Sequence, residues 1–105
     1  MAEHCVKIII PLSDGGFGTD AERSRLSDSG DEVASHIAEA GGGEFDGDEF
    51  GEGICTFYLY GPDADDLYAS VENFVKATDL CKGATIYKRY GEADDEAAKE
   101  VEFQV

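Results

Sequence analysis

Positive charge is scarce in this sequence. Eight lysine and arginine residues stand against 24 aspartates and glutamates, which gives a formal net charge of −16 at pH 7. Because nucleic acid phosphates and anionic lipid surfaces repel such a chain, we expect no nucleic acid partner and no membrane partner. The same charge favours a basic protein partner or metal cations. It is equally typical of a protein whose acidity serves only solubility or a salt-rich habitat.

Cysteines and long apolar runs are also few. The three cysteines, Cys5, Cys55 and Cys81, are an odd number and show neither a CxxC motif nor metal-ligand spacing. We therefore predict reduced, mostly buried thiols, as in a cytosolic protein. No stretch approaches the roughly 18 apolar residues of a transmembrane helix, and residues 1–7 lack the pattern of a signal peptide. These features predict a soluble, cytoplasmic protein.

The acidic stretch at residues 46–52 resembles the opening of a calcium-binding loop. Phe50 and Phe57 occupy the fifth and twelfth positions of such a loop, where oxygen ligands are needed, so an EF-hand is excluded. Carboxylate density alone leaves a weak, irregular divalent-cation site as an alternative. Our prediction is that the protein holds no metal and no cofactor.

The sequence shows no clear catalytic or phosphate-binding motif. The glycine-rich loop at residues 14–18 lacks the lysine of a phosphate-binding loop and stands among acidic residues. His4 and His36 are isolated, and strand alternation assigns Cys55 to the core rather than to a Cys–His pair. We expect no catalytic residues and favour a binding protein over an enzyme.

Apolar periodicity predicts an alternation of strands and helices. The predicted strands cover residues 5–12, 44–50, 54–60 and 84–90, with an edge strand formed by Val101, Phe103 and Val105. The predicted helices are residues 21–40, capped by Thr19 or Asp20 and ended by the glycines at 41–43, and a helix capped by Asp63 whose apolar stripe runs from Leu67 to Thr78. Residues 51–53 are expected to form a three-residue hairpin turn, and residues 92–100 a helical turn or an exposed connection.

Gly30 falls on the inward face of the first helix. If the helix is continuous, this glycine allows a close approach to the sheet, at a cost of about 1 kcal/mol relative to alanine. The alternative is a helix that breaks at Ser29 and Gly30. We favour one continuous helix.

The order β-α-β-β-α-β plus a terminal strand predicts the fold class. It is that of an α+β, ferredoxin-like sandwich: one domain over residues 1–105, with an antiparallel sheet, two helices on one face and a C-terminal edge strand. In that fold the first and third strands lie at the centre, and here they are the two most apolar runs, residues 5–12 and 54–60.

One sheet face should remain free of helices in this arrangement. If Val6, Ile8 and Ile10 face the helices, then tyrosines and basic residues face the other way. We interpret this tyrosine-rich face as a protein contact, with simple coverage by the C-terminal segment as the alternative. The predicted partner-binding residues combine the acidic hairpin with this face: Asp46, Asp48, Glu49, Glu52, Tyr58, Tyr60 and Tyr87.

Four segments of the chain are distinctive: Gly-Glu-Phe-Asp-Gly-Asp-Glu-Phe-Gly-Glu-Gly at 43–53, Thr-Phe-Tyr-Leu-Tyr-Gly-Pro-Asp-Ala-Asp at 56–65, Ile-Pro-Leu-Ser at 10–13 and Arg-Tyr-Gly at 89–91. Together they resemble small acidic bacterial proteins of uncharacterised function. The resemblance covers most of the chain and implies no catalytic residues. At the level of fold, the layout is similar to acidic ribonuclease regulators and toxin-immunity proteins.

The leading hypothesis is therefore a non-enzymatic inhibitor, immunity factor or regulator that binds a basic protein. A small enzyme or ligand-binding domain with a cleft beside the sheet is one alternative. A homodimer that packs through its sheet faces is another.

Overall fold

In the computed structural model, which describes residues 3–105, the chain forms a mixed α+β structure around one antiparallel sheet. The sheet has five strands in the order β2-β3-β1-β4-β5, and three α-helices accompany it within the described residues. The elements are β1 (His4–Pro11), α1 (Asp20–Ala40), β2 (Glu44–Gly51), β3 (Ile54–Gly61), α2 (Ala64–Ala69), α3 (Glu72–Ala77), a 3₁₀ turn (Asp79–Cys81), β4 (Thr85–Arg89) and β5 (Glu100–Gln104).

The core lies on one side of the two central strands. Val6, Ile8 and Ile10 of β1 are buried together with Phe57 and Leu59 of β3, on the side that packs against the helices. Each large apolar side chain removed from water in this way contributes about 1.5–3 kcal/mol before conformational entropy is counted. The predicted alternation of both strands is confirmed.

Helix α1 is continuous from Asp20 to Ala40, as predicted. Its N-terminus is a capping box in which the Thr19 hydroxyl accepts from the Glu22 amide, and the Glu22 carboxylate accepts from the Thr19 amide. Gly30 is buried against the sheet, where an added Cβ would lie 3.3 Å from Cζ of Phe45. The helix ends at Gly41, whose φ of 74° is the left-handed cap conformation.

The predicted second helix is wrong in one respect, because it is two short helices. Asp63 caps α2 as expected, with its carboxylate accepting from the amides of Asp65 and Asp66. The chain then leaves the helical path at Val71, which has a φ of −120°, and its amide bonds to the carbonyl of Tyr68, three residues back. The apolar stripe survives the break, since both Val71 and Val75 are buried.

The β2–β3 hairpin also differs from expectation. Gly51 pairs with Ile54, so the turn has two residues rather than three. Its residues Glu52 and Gly53 have φ values of 54° and 82°, the positive pair that a type I′ turn requires. Strand β2 covers the predicted stretch with one residue more, and it is irregular, with a register shift between Phe45 and Gly47.

The C-terminal segment adds a fifth strand to the edge of the sheet. Residues 92–99 form a connection of turns, and β5 then pairs antiparallel with β4 at the edge of the sheet. The predicted edge strand is therefore confirmed. Across residues 3–105, none of the helices is long and apolar enough to cross a membrane.

Candidate protein-binding face

On the side of the sheet opposite the helices, six large side chains of the three inner strands are half-exposed. We call this surface the open face: it comprises Lys7, Ile9, Tyr58, Tyr60, Tyr87 and Arg89. The C-terminal strand extends the sheet beyond β4 and does not lie across these side chains, which keep their partial exposure. The expectation that tyrosines and basic residues point away from the core is confirmed, and the C-terminal strand lies beside this face rather than over it.

Lys7 lies at the centre of the open face between two aromatic rings. It is directly opposite Tyr58 on one neighbouring strand and Tyr87 on the other. Its Nζ is 5.7 Å from the ring centroid of Tyr58 and 5.1 Å from that of Tyr87. Both distances are within the range of cation–π attraction. The lysine therefore contacts both rings and links the tyrosines of the two neighbouring strands.

Acidic side chains flank the tyrosines. The Tyr87 hydroxyl donates to Oε1 of Glu100, and burial together with this hydrogen bond raises the pKa of Tyr87 to about 12. Burial and the neighbouring charge of Glu49 raise the pKa of Tyr58 in the same direction. At neutral pH these hydroxyls are therefore protonated, which suits them to hydrogen bonding with a partner rather than to proton abstraction.

The predicted acidic residues do not all reach the open face. Asp46 stands at the irregularity of β2, and its charge contributes to the raised pKa of Tyr60, after burial and Cys5. Glu49 pairs with Thr56 on the same side as the tyrosines. Asp48 is directly opposite Phe57, a core residue, so it points to the helix side of the edge strand. The structure thus groups Asp46 and Glu49 with the tyrosines, and it separates Asp48 from them.

The three cysteines are free and buried, as predicted. Desolvation raises the pKa of Cys55 to about 12 and that of Cys81 to about 11. Cys5 lies between Tyr60 and Arg89 in the strand ladders, and burial raises its pKa too. Thiols in this state are poor nucleophiles at neutral pH.

His4 has a structural role. Its Nδ1 accepts from the amide of Ala64 at 3.0 Å, so the imidazole satisfies a free amide at the start of α2.

The glycine-rich loop of residues 14–18 is held by its own carboxylate. Oδ1 of Asp14 accepts from the amides of Gly16 at 2.9 Å and Gly18 at 3.0 Å. These are the donors that a phosphate would need, so their occupation agrees with the sequence argument against anion binding.

A groove opens beside the open face where this loop meets the β2–β3 hairpin. Its volume is about 370 Å³. Phe17 and Ile54 are among its walls and are 65% and 38% exposed, while Glu49 and Glu52 stand at its rim. Sequence reasoning predicted the two glutamates but missed both apolar residues. The one available signal was a phenylalanine placed within an otherwise polar, glycine-rich loop.

Among residues 3–105, no three His, Cys, Asp or Glu side chains converge as the ligands of a metal ion would. A comparison of the chain with protein-family models, curated proteins and solved structures finds no match. The open face and the groove are therefore the candidate functional surfaces of the described residues.

Proposed function

We propose that the protein is a non-enzymatic acidic binding protein whose open face contacts a basic protein partner. The observation that carries this proposal is the row of half-exposed tyrosines around Lys7, flanked by carboxylates, on a sheet face free of helices. Tyrosine is enriched at protein interfaces because it offers a large apolar ring and a polar hydroxyl at low entropic cost. The partner would supply lysines or arginines toward the acidic flanks.

We also propose that the fold is ferredoxin-like. Support comes from the order β2-β3-β1-β4, in which the first and third strands are central and the second and fourth flank them. In this reading β5 is an addition at the β4 edge, and α2 with α3 takes the place of a single second helix.

Charge argues for a basic partner over self-association. Two copies that met through their open faces would bring two chains of formal charge −16 together. Like charges across an interface oppose binding, and salt weakens this repulsion. A homodimer of this kind should therefore persist or strengthen at high salt, whereas a complex with a basic protein should weaken.

The proposal is tested by capture of partners from a lysate of the cells that produce the protein, followed by binding measurements with the purified partner. We expect a basic protein that is retained at about 50 mM salt and released at about 500 mM. Tyr58→Ala with Tyr87→Ala should weaken its binding at least about tenfold, since truncation of interface tyrosines commonly costs more than 1 kcal/mol.

The control is Phe103→Ala, a similarly half-exposed aromatic on the helix side of β5. This variant should bind like the wild type. Equal losses in the control and the tyrosine variant, with both proteins folded by circular dichroism, would contradict the proposal. Salt-resistant self-association as the sole interaction would replace it with the homodimer.

A further inference from the structure

The groove beside the open face has a partly exposed apolar wall. Phe17 is 65% exposed and Ile54 is 38% exposed, and the wall also includes Phe50. Exposed apolar side chains gathered in one concavity, with polar groups at the rim, are typical of interaction sites.

The groove is also held in shape before anything binds. The loop that carries Phe17 is joined to the hairpin turn by a hydrogen bond from the amide of Gly53 to the carbonyl of Gly16, at 2.9 Å. A second bond, from the amide of Leu12 to the carbonyl of Gly53, fixes the other side of that turn at 2.8 Å. An added Cβ on Gly53 would lie 3.1 Å from Cα of Gly15, so the two backbones are in close contact. A preformed groove reduces the ordering cost of binding.

Charge complementarity decides which occupant suits the groove. Glu49 and Glu52 are the charged residues of its lining, and the whole chain carries a formal charge of −16. An acidic or purely apolar segment would leave these carboxylates unpaired, whereas a basic segment would pair with them. The volume of about 370 Å³ is enough for one large aliphatic side chain.

We propose that this groove binds a partner segment in which one large aliphatic side chain is flanked by lysine or arginine. The aliphatic side chain would lie against Phe17 and Ile54, and the flanking cations would pair with Glu49 and Glu52. This inference rests on the proposed function, because it names the part of a basic partner that the surface recognises.

A second concavity supplies an internal comparison. It lies on α1, has a volume of about 300 Å³ and is lined by Asp28, Asp31, Glu32 and Ser35. Its lining is acidic like the rim of the groove but lacks large apolar side chains. Non-specific attraction of a cation would affect both places, whereas the proposed recognition would favour the groove.

The probe is the synthetic pentapeptide Lys-Arg-Leu-Lys-Arg, blocked at both ends and titrated into the ¹⁵N-labelled protein. We expect saturable shifts of the amide signals of Gly51, Ile54 and Thr56, with weaker, non-saturating changes over residues 28–35. A peptide with alanine in place of leucine should bind about tenfold more weakly, since most of the buried apolar area is lost. Phe17→Ser should weaken the leucine peptide similarly, and Phe103→Ser should not.

The inference is overturned if the leucine and alanine peptides bind equally, or if residues 28–35 respond as strongly as the groove. It is also overturned if millimolar peptide leaves the groove signals unchanged, or if Phe17→Ser instead abolishes a dimer of the chain. None of these outcomes predicts how the tyrosine variants of the open face bind the partner, so the two proposals are tested separately. Loss of partner binding in those variants with an unresponsive groove would refute this inference alone.

Discussion

The tyrosine hydroxyls of the open face illustrate how single residues set the chemistry of this surface. Tyr87 is opposite Glu102 in the ladder, yet its hydroxyl bonds to Glu100, two residues earlier on β5. Burial and that bond place its pKa at about 12, above the ordinary value of 10.0. Because the folded pKa is the higher one, the stabilisation is complete below pH 10 or so and is lost as the pH rises through about 12.

Glu100→Gln should therefore lower the pKa of Tyr87. The value should remain above the ordinary one, because burial is the largest cause of the shift and is kept. Glu102→Gln is the matched control and should have a smaller effect. The measurement is a pH titration of the tyrosine ring signals by NMR. An unchanged Tyr87 pKa in Glu100→Gln would show that the hydrogen bond does not form in solution.

Gly30 is a second position at which one side chain decides the packing. Gly30→Leu would place a large side chain where an added Cβ alone would already lie 3.3 Å from Cζ of Phe45. Overpacking of this kind should lower the free energy of unfolding by about 2 kcal/mol, as measured with urea. Ser27→Leu, on an exposed position of the same helix, should change it by less than about 0.5 kcal/mol. Equal effects would contradict the close helix–sheet approach.

At the scale of elements, the loop of residues 14–18 is held against the β2–β3 turn by hydrogen bonds. Its own Asp14 satisfies two of its amides, and the β2–β3 turn fixes its backbone. This arrangement orders a stretch of five residues that contains three glycines. The position of Phe17 over the groove depends on it.

Asp14→Ala should release this loop. We expect the ¹⁵N order parameters of residues 15–18 to fall from the rigid value of about 0.85 to below about 0.6, while those of α1 stay unchanged. The global stability should fall by only about 1 kcal/mol, because the exposed amide of Gly16 can bond to water instead, while the partly buried amide of Gly18 loses its acceptor. Asp28→Ala, an exposed carboxylate on α1, is the control. A loop that stays rigid without Asp14 would show that the bonds to the hairpin turn suffice.

Elements defined by local chemistry were predictable from the sequence. Strand β1 follows from its β-branched run, and α1 from a capping residue, a regular apolar stripe and terminal glycines. The break between α2 and α3 was not predictable, because the apolar stripe continues across it through Val71. The two-residue turn was missed because it requires Glu52, a residue without special turn preference, at positive φ.

At the scale of the whole molecule, the sequence separated the two sides of the sheet correctly. Strand alternation assigned Phe57 to the core and Tyr58 to the open face. The groove could not be predicted from the sequence, because it forms where Gly16 meets Gly53. Such a long-range contact leaves no periodic signal in the sequence. The side of the sheet on which Asp48 lies could not be predicted either, because the register shift in β2 determines which acidic residues lie on the same side as the tyrosines.

The central claim is that this chain binds a basic partner through particular acidic residues rather than through its net charge. The pair Glu49→Lys and Glu52→Lys changes the rim of the groove beside the open face. The pair Glu32→Lys and Glu39→Lys alters the exposed surface of α1 by the same total charge. The two variants have equal net charge, so a difference between them reports position alone.

The most direct measurement is the affinity of the captured basic partner for these two variants at one fixed salt concentration. Binding should weaken at least about tenfold for the rim variant, since paired interface charges commonly contribute more than 1 kcal/mol, and by much less for the α1 variant. Equal weakening of both variants would mean that the acidity acts only as a diffuse field. Unchanged binding of the rim variant would contradict the account.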